Sequence, residues 1–416
     1  MSGPGSVSVR GAAQVLCPPE EGLPYLRHSR AGEMSLWPGS VTVRDGLVAA
    51  LEHDGEAALR IDASGCALLP GLVDCHTHLP FAGWRAEEYE QKVTGVPYEE
   101  ISRRGGGIAS SARAFAAAGD GEVLDQAGGL AGEMLAHGTT TFECKSGYGL
   151  SAEQELRALR LASELREDVA QTTVSTALLA HAVPEGTSAD EWMDVVASLV
   201  PRVRAETSAE ALDIYVESVA FSLEHLARMG SLAAEHGFAL RAHVEQFSTM
   251  RSVPVALEHG ARSVDHLACL DPDDLGPLAE SECAAVLLPG AEFLGDEHVA
   301  PGRALADAGA VCALATDANP GTSPVVSLPL VIGLAVRRYG WSVREALLAV
   351  TLNAAYVLGR SSELGSIEVG KRGDLVLLDG PAERVPYRFG HNPVLAVIAG
   401  GYPLYVRPGE EWRLHD

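Results

Sequence analysis

The chain has 416 residues, 47% of them apolar, and a formal net charge of −25. That length suits one large barrel or open-sheet domain with a smaller companion, and the acidic balance argues against a nucleic-acid partner, whose phosphates call for a basic face. Seven scattered cysteines without a CxxC pair read as reduced core residues of a cytoplasmic protein, the apolar runs are strand-sized rather than membrane-spanning, and the opening MSGPGSVSVRGAAQVLCPPE lacks the pattern of a secretory leader.

In chain order, residues 1–67 hold short β-like pieces such as SVTVRDGLVAAL. From residue 68 onward, apolar and β-branched runs alternate with helix-like segments. Strands are predicted at Leu68–His76, Thr139–Lys145, Thr172–Ala180, Ala211–Ser218, Phe238–Val244, Arg262–Leu267, Cys283–Pro289 and Val311–Asp317. Ser151 with Gln154 and Ser188 with Glu191 fit capping boxes at helix starts between them. Eight strands alternating with helices predict a (β/α)8 TIM-type barrel, an α/β fold. After a helix predicted over Ser342–Leu358, the tail turns β-rich again in GDLVLLDG and PVLAVIAGGYPLYV. Neither end can bury a core alone, so 1–67 and 364–416 are expected to pair into a small β-sandwich-like domain beside a barrel of residues 68–363.

The stretch LLPGLVDCHTHLPFAGWR places His76 and His78 two apart at the end of the first strand. Residues i and i+2 of a strand share a face, and the carboxyl ends of barrel strands carry the active site. His243 lies near the end of the fifth run, His266 near the end of the sixth and Asp317 at the end of the eighth. Any one of these has a structural reading, Asp317 as a turn cap for example. Together, four imidazoles and a carboxylate on one rim point to a metal site.

This pattern resembles the amidohydrolase superfamily. The stretches FAGWR, RGGGI and KSGYGL, with GTTTFECKSGYGL, LLAHAVP, LLPGAEFL, ATDANPGTSPVVSLPL and PYRFGHNPV, are similar to the imidazolonepropionase family within it. The resemblance implies hydrolytic opening of 4-imidazolone-5-propanoate to N-formimidoyl-L-glutamate, with one divalent or iron ion per chain, zinc or iron, held by His76, His78, His243 and Asp317. Binuclear relatives use a lysine on the fourth strand. Here that run, ALDIYVES, has none, and the chain's lysines are Lys92, Lys145 and Lys371. Glu217 is the alternative bridge to a second ion.

For the substrate's carboxylate tail the forked cation expected is Arg85, although Glu87 and Glu88 allow a surface ion pair instead. Tyr148, Tyr98 and His181 are expected beside it, and Asn319, Gly321 and Thr322 around the ring or the opened product. Gln246, three after His243, cannot act as acid or base and is expected only to orient by hydrogen bonding. Adjacent Glu245 should point away. Asp317 is then the expected general base and His266 the group stabilising the oxyanion, with a ligand role for His266 left open. The glycines of RRGGGI read either as a lid or as a tight backbone approach. The partner expected is a small carboxylate-bearing molecule, with no nucleic acid and no membrane; the sequence leaves open a homodimer. A related cyclic-amide hydrolase and an aminohydrolase deaminase are the competing activities.

Overall fold

A computed structural model describes residues 5–51, 56–96, 100–101, 104–295 and 298–415. Eight parallel strands form the barrel: β1 (Leu72–Asp74), β2 (Thr139–Lys145), β3 (Thr172–Ala180), β4 (Ala209–Val216), β5 (Ala239–Val244), β6 (Ser263–His266), β7 (Ala284–Leu287) and β8 (Val311–Leu314). Each pairs in parallel with the next. Closure occurs just past the strand ends, through a parallel bridge between Thr77 and Ala318. There the Asp317 amide donates to the His76 carbonyl at 3.0 Å, and the His78 amide to the Ala318 carbonyl at 2.9 Å. The seam of the barrel therefore runs through the residues expected to bind metal.

Helices lie between the strands because their sequences carry a 3.6-residue apolar period. Ala189–Glu206 buries Trp192, Met193, Val196, Leu199, Val200 and Val203 on one face. Each such side chain contributes roughly 1.5–3 kcal/mol. Ser188 and Glu191 form the reciprocal capping box at its start, whereas Ser151 makes only the half in which its hydroxyl accepts from the Gln154 amide. No helix among the described residues is long and apolar enough to cross a membrane.

Both chain ends enter one nine-stranded sheet. Its long strand, Ser6–Cys17, pairs antiparallel with Ser35–Arg44 along one edge. The other edge serves Leu59–Asp62 and then Ala67–Pro70. The carboxyl-terminal strand Leu375–Leu378 joins on Ala67–Pro70. Leu68, Leu375 and Leu377 pack into the sheet's own cluster with Val7, Val43 and Ile61, while Leu69, Val376 and Leu378 belong to the cluster of the barrel. Both faces of these central strands are buried, which is why GDLVLLDG reads as a continuous apolar run.

The run expected as one strand over Leu68–His76 is two. Ala67–Pro70 belongs to the side sheet and Leu72–Asp74 to the barrel. Gly71 makes the switch where a Cβ would lie 2.1 Å from Thr140 Oγ1. The helix expected over Ser342–Leu358 is likewise broken into Val343–Ala349 and Leu352–Val357. Between them Thr351 leaves helical geometry, with φ −127° and ψ −101°, and turns its hydroxyl back to the Leu347 carbonyl.

Candidate active site

The carboxyl ends of the strands carry a cavity that opens to solvent. His78, His181, His243, His266 and Asp317 line it together with Arg85, Tyr148, Gln246, Asn319 and Thr322. His76 lies beneath, fully buried. Its Nε2 is 3.5 Å from Asp317 Oδ1, and the Nε2 of His78 is 3.3 Å from the same oxygen. The Nε2 atoms of His78 and His243 face each other at 3.4 Å. Potential ligand atoms of His76, His243 and His266, and of His76, His78 and Asp317, fall within 4.8 Å of one another.

This donor set fits a divalent cation. Buried imidazole nitrogens ordinarily have a partner, and an orphan costs roughly 1–3 kcal/mol. Among the described residues, His76 Nε2 and His78 Nδ1 make no hydrogen bond. Burial holds His76, His78 and His181 well below the usual imidazole range, and brings His266 down to about 3. Neutral imidazole is the form that binds a metal. Burial pushes the Asp317 carboxyl up, partly offset by His266 and His243.

Three strand ends turn sharply to build this rim. Glu245, His266 and Asp317 all have left-handed backbones, with φ of 54°, 81° and 56°. Such residues cost roughly 1–3 kcal/mol each and mark functional sites. Asn319 stabilises the turn after Asp317: its Oδ1 accepts from the amides of Gly321 and Thr322, and its Nδ2 donates to the Asp317 carbonyl and the Thr322 hydroxyl.

Arg85 is buried, and its Nε and Nη1 make no hydrogen bond among the described residues. A Glu88 carboxylate oxygen lies 3.7 Å from Nη1. The ion pair that the sequence left open is thus loose. Glu88 is instead engaged by the Gly107 amide at 2.9 Å, which ties down the RGGGI loop. Gly321 lies directly on the guanidinium: a Cβ there would sit 1.7 Å from Nη2. His181 donates Nδ1–H to the Gly147 carbonyl at 3.0 Å, since a carbonyl only accepts. That leaves its Nε2 an acceptor.

Tyr98 lies outside the described residues. Glu245 does turn away, accepting from the amides of Met250 and Ser252. Glu217 is spent on the Phe247 and Ser248 amides, at 3.0 and 3.1 Å, and so braces the turn carrying Gln246. The sequence reading missed Ile108, Tyr215 and Phe247 on the cavity wall, and Asp213 and Asp265 behind the histidines. The last two had a signal, since each is a carboxylate inside a run predicted as a strand, and Asp265 directly precedes His266.

A barrel with imidazoles and a carboxylate converging at its carboxyl rim defines an amidohydrolase. Residues 67–403 match the amidohydrolase family. A zinc-bound adenosine deaminase from Xanthomonas campestris has a similar fold (TM-score 0.69, 20% identity, covering 96% of this chain and 93% of that one). Two relatives are each named imidazolonepropionase. The one from Rubrobacter xylanophilus is 44% identical over 391 residues, 90% of this chain and 93% of its own length. The one from Cupriavidus necator is 42% identical over 362 residues, 86% of this chain and 87% of its own. The chain belongs to the imidazolonepropionase family of the amidohydrolases.

Proposed function

We propose that the protein hydrolyses the ring amide of 4-imidazolone-5-propanoate to N-formimidoyl-L-glutamate, a step of histidine breakdown in the cytoplasm. The observation that carries this reading is Arg85. A buried guanidinium two of whose nitrogens make no hydrogen bond among the described residues, in the same cavity as a histidine–aspartate cluster, calls for an anionic tail on whatever that cluster acts upon.

His76, His78, His243 and Asp317 would hold one ion, and mixed nitrogen and oxygen donors suit zinc or iron. When bound, such an ion supplies Lewis-acid polarisation of water and of the ring carbonyl. Arg85 grips the propionate, with Tyr148 beside it, so that attack is effectively intramolecular. His181 accepts a ring N–H at Nε2, and Gln246 orients the ring by hydrogen bonding. Asp317 takes a proton from the attacking water as the new C–O bond forms. It returns that proton to the ring nitrogen as the C–N bond breaks. His266, held neutral, donates a hydrogen bond to the oxygen that gains charge. Asn319, Gly321 and Thr322 face the opened product.

The test is the decay of the substrate's ultraviolet absorbance on adding protein supplied with Zn²⁺ or Fe²⁺. Turnover supports the reading. Absence of turnover, with ammonia released from an aminopurine instead, overturns it in favour of a deaminase.

A further inference from the structure

The loop that leaves β2 hangs on one buried carboxylate. Residues 146–150 follow the strand, and the helix Ala152–Asp168 begins directly after them with Ser151 as its cap. Glu155, in the first turn of that helix, is 1% exposed. Its oxygens reach back out of the helix. Oε2 accepts from the Gly147 amide at 2.9 Å, and Oε1 accepts from the amides of Gly149 and Leu150 at 2.7 and 2.9 Å. A glutamate at a helix start ordinarily serves the free amides of its own helix end. Glu191 does so in the next helix, where it accepts from the amide of the cap residue Ser188 at 2.8 Å. Glu155 serves the loop instead. The fit is close: a Cβ on Gly149 would lie 2.4 Å from the Glu155 amide nitrogen and 2.8 Å from Oε1.

The backbone held in this way carries two parts of the site. Tyr148 stands between the two clamped glycines, and its side chain lines the cavity. Gly147 is held from both sides: its amide donates to Glu155, and its carbonyl accepts Nδ1–H of His181 at 3.0 Å. One peptide thus joins the helix interior to a histidine at the end of β3. The rings of Tyr148 and His181 meet with their centroids 5.3 Å apart. A buried amide that loses its acceptor is costly, so three amides on one carboxylate hold the loop, and with it both side chains, in a single arrangement. Fixing groups that grip a substrate before it arrives lowers the cost of binding.

We propose that Glu155 is a positioning residue, which clamps residues 146–150 so that Tyr148 and, through the Gly147 carbonyl, His181 face the substrate in one fixed arrangement. This assignment rests on the functional reading above, in which those two side chains hold the ring and its tail. Glu155 does not itself line the cavity. It acts through groups that bind substrate and transition state alike, so its loss should appear in KM rather than in kcat.

The test uses Zn²⁺-loaded protein. Steady-state kinetics on 4-imidazolone-5-propanoate are compared for the unmodified chain, Glu155→Gln and Glu191→Gln, and the His181 ring is followed by ¹⁵N NMR. Glutamine keeps the size of the side chain but offers one acceptor oxygen, so part of the loop loses its partner. Glu155→Gln should raise KM about 10-fold, the effect of one charge-assisted hydrogen bond, with kcat nearly kept and zinc content unchanged. The His181 Nδ1–H signal should move or broaden. Glu191→Gln alters a helix start that serves only its own helix, and should leave both readouts alone. Gly149→Ala presses on Glu155 without removing it, so KM should rise in the same direction but less; it serves if the glutamine variant does not fold. A folded Glu155→Gln protein with unchanged KM overturns the proposal, whatever its melting temperature. So does an unchanged His181 signal. If the unmodified protein does not turn over the substrate, the functional reading fails, while the His181 signal still decides whether Glu155 sets that ring.

Discussion

The barrel interior and the side sheet are both buried, yet they are built from opposite materials. The side sheet's core is Val7, Val9, Val41, Val43, Ile61, Leu68, Leu375 and Leu377, packed on one another with no charge among them. The barrel's carboxyl half is filled by Glu143, Lys145, Asp213, Arg241 and Asp265 under a rim of imidazoles. Hydrocarbon stabilises by removal from water and asks only for a fitted shape. A buried ionic lattice yields little net stability, and loses about 3–5 kcal/mol when one partner is removed. Here that lattice reaches the imidazoles of the rim, with Asp265 against His76 Nδ1 and Asp213 against His243 Nδ1.

The sharpest break in that contrast is Asp317→Asn. It should lower kcat by about 10²–10⁴-fold while leaving the thermal midpoint nearly unchanged; near-normal turnover would remove Asp317 as the proton carrier. Next is Arg85→Ala, expected to raise KM about 100-fold with metal content intact. Loss of metal in that variant would place the arginine in the wrong role. Leu377→Ala, on the side-sheet face, should cost about 2–5 kcal/mol of stability in denaturant titration, with kcat and KM unchanged in the folded fraction. A large change in KM there would mean that the two regions are not separable.

Gly321→Ala sharpens the comparison from the other side. The added methyl displaces the guanidinium, so KM should rise about 10-fold, or about 1.4 kcal/mol, with kcat nearly kept; equal KM would show that Arg85 relaxes without loss. The smallest effect expected is at Asp379, in the side-sheet region. Burial alone would raise its carboxyl, but hydrogen bonds from His391 and Arg407 outweigh that and hold it below the ordinary range. A depressed carboxyl stabilises the fold above its unfolded pKa, and that contribution fades as pH falls through the folded value. Asp379→Asn should therefore cost no more than about 1 kcal/mol at neutral pH, with the difference from the unmodified protein vanishing in acid melts.

Much of this was legible because it is local. β2 and β3 lie where alternation and β-branching put them, and the other barrel strands shift by only a few residues at their ends. His76, His78, His243, His266 and Asp317 stood out as polar residues closing apolar strands. Less legible were the interruptions. Gly71 divides a run that reads as one strand because its close approach to Thr140 involves a residue far along the chain. Thr351 breaks a helix whose apolar period continues through it.

By itself, the sequence determined the alternation of strands and helices and singled out the rim residues and Arg85, because periodicity and residue chemistry are properties of short segments. Only the tertiary structure decided which carboxylates stand behind which histidines, that Arg85 meets Glu88 at no less than 3.7 Å, and that Gly321 lies against it. Those are distances between residues far apart in the chain. They are set when the barrel closes at Thr77 and Ala318 and its strand ends turn through the left-handed backbones of Glu245, His266 and Asp317.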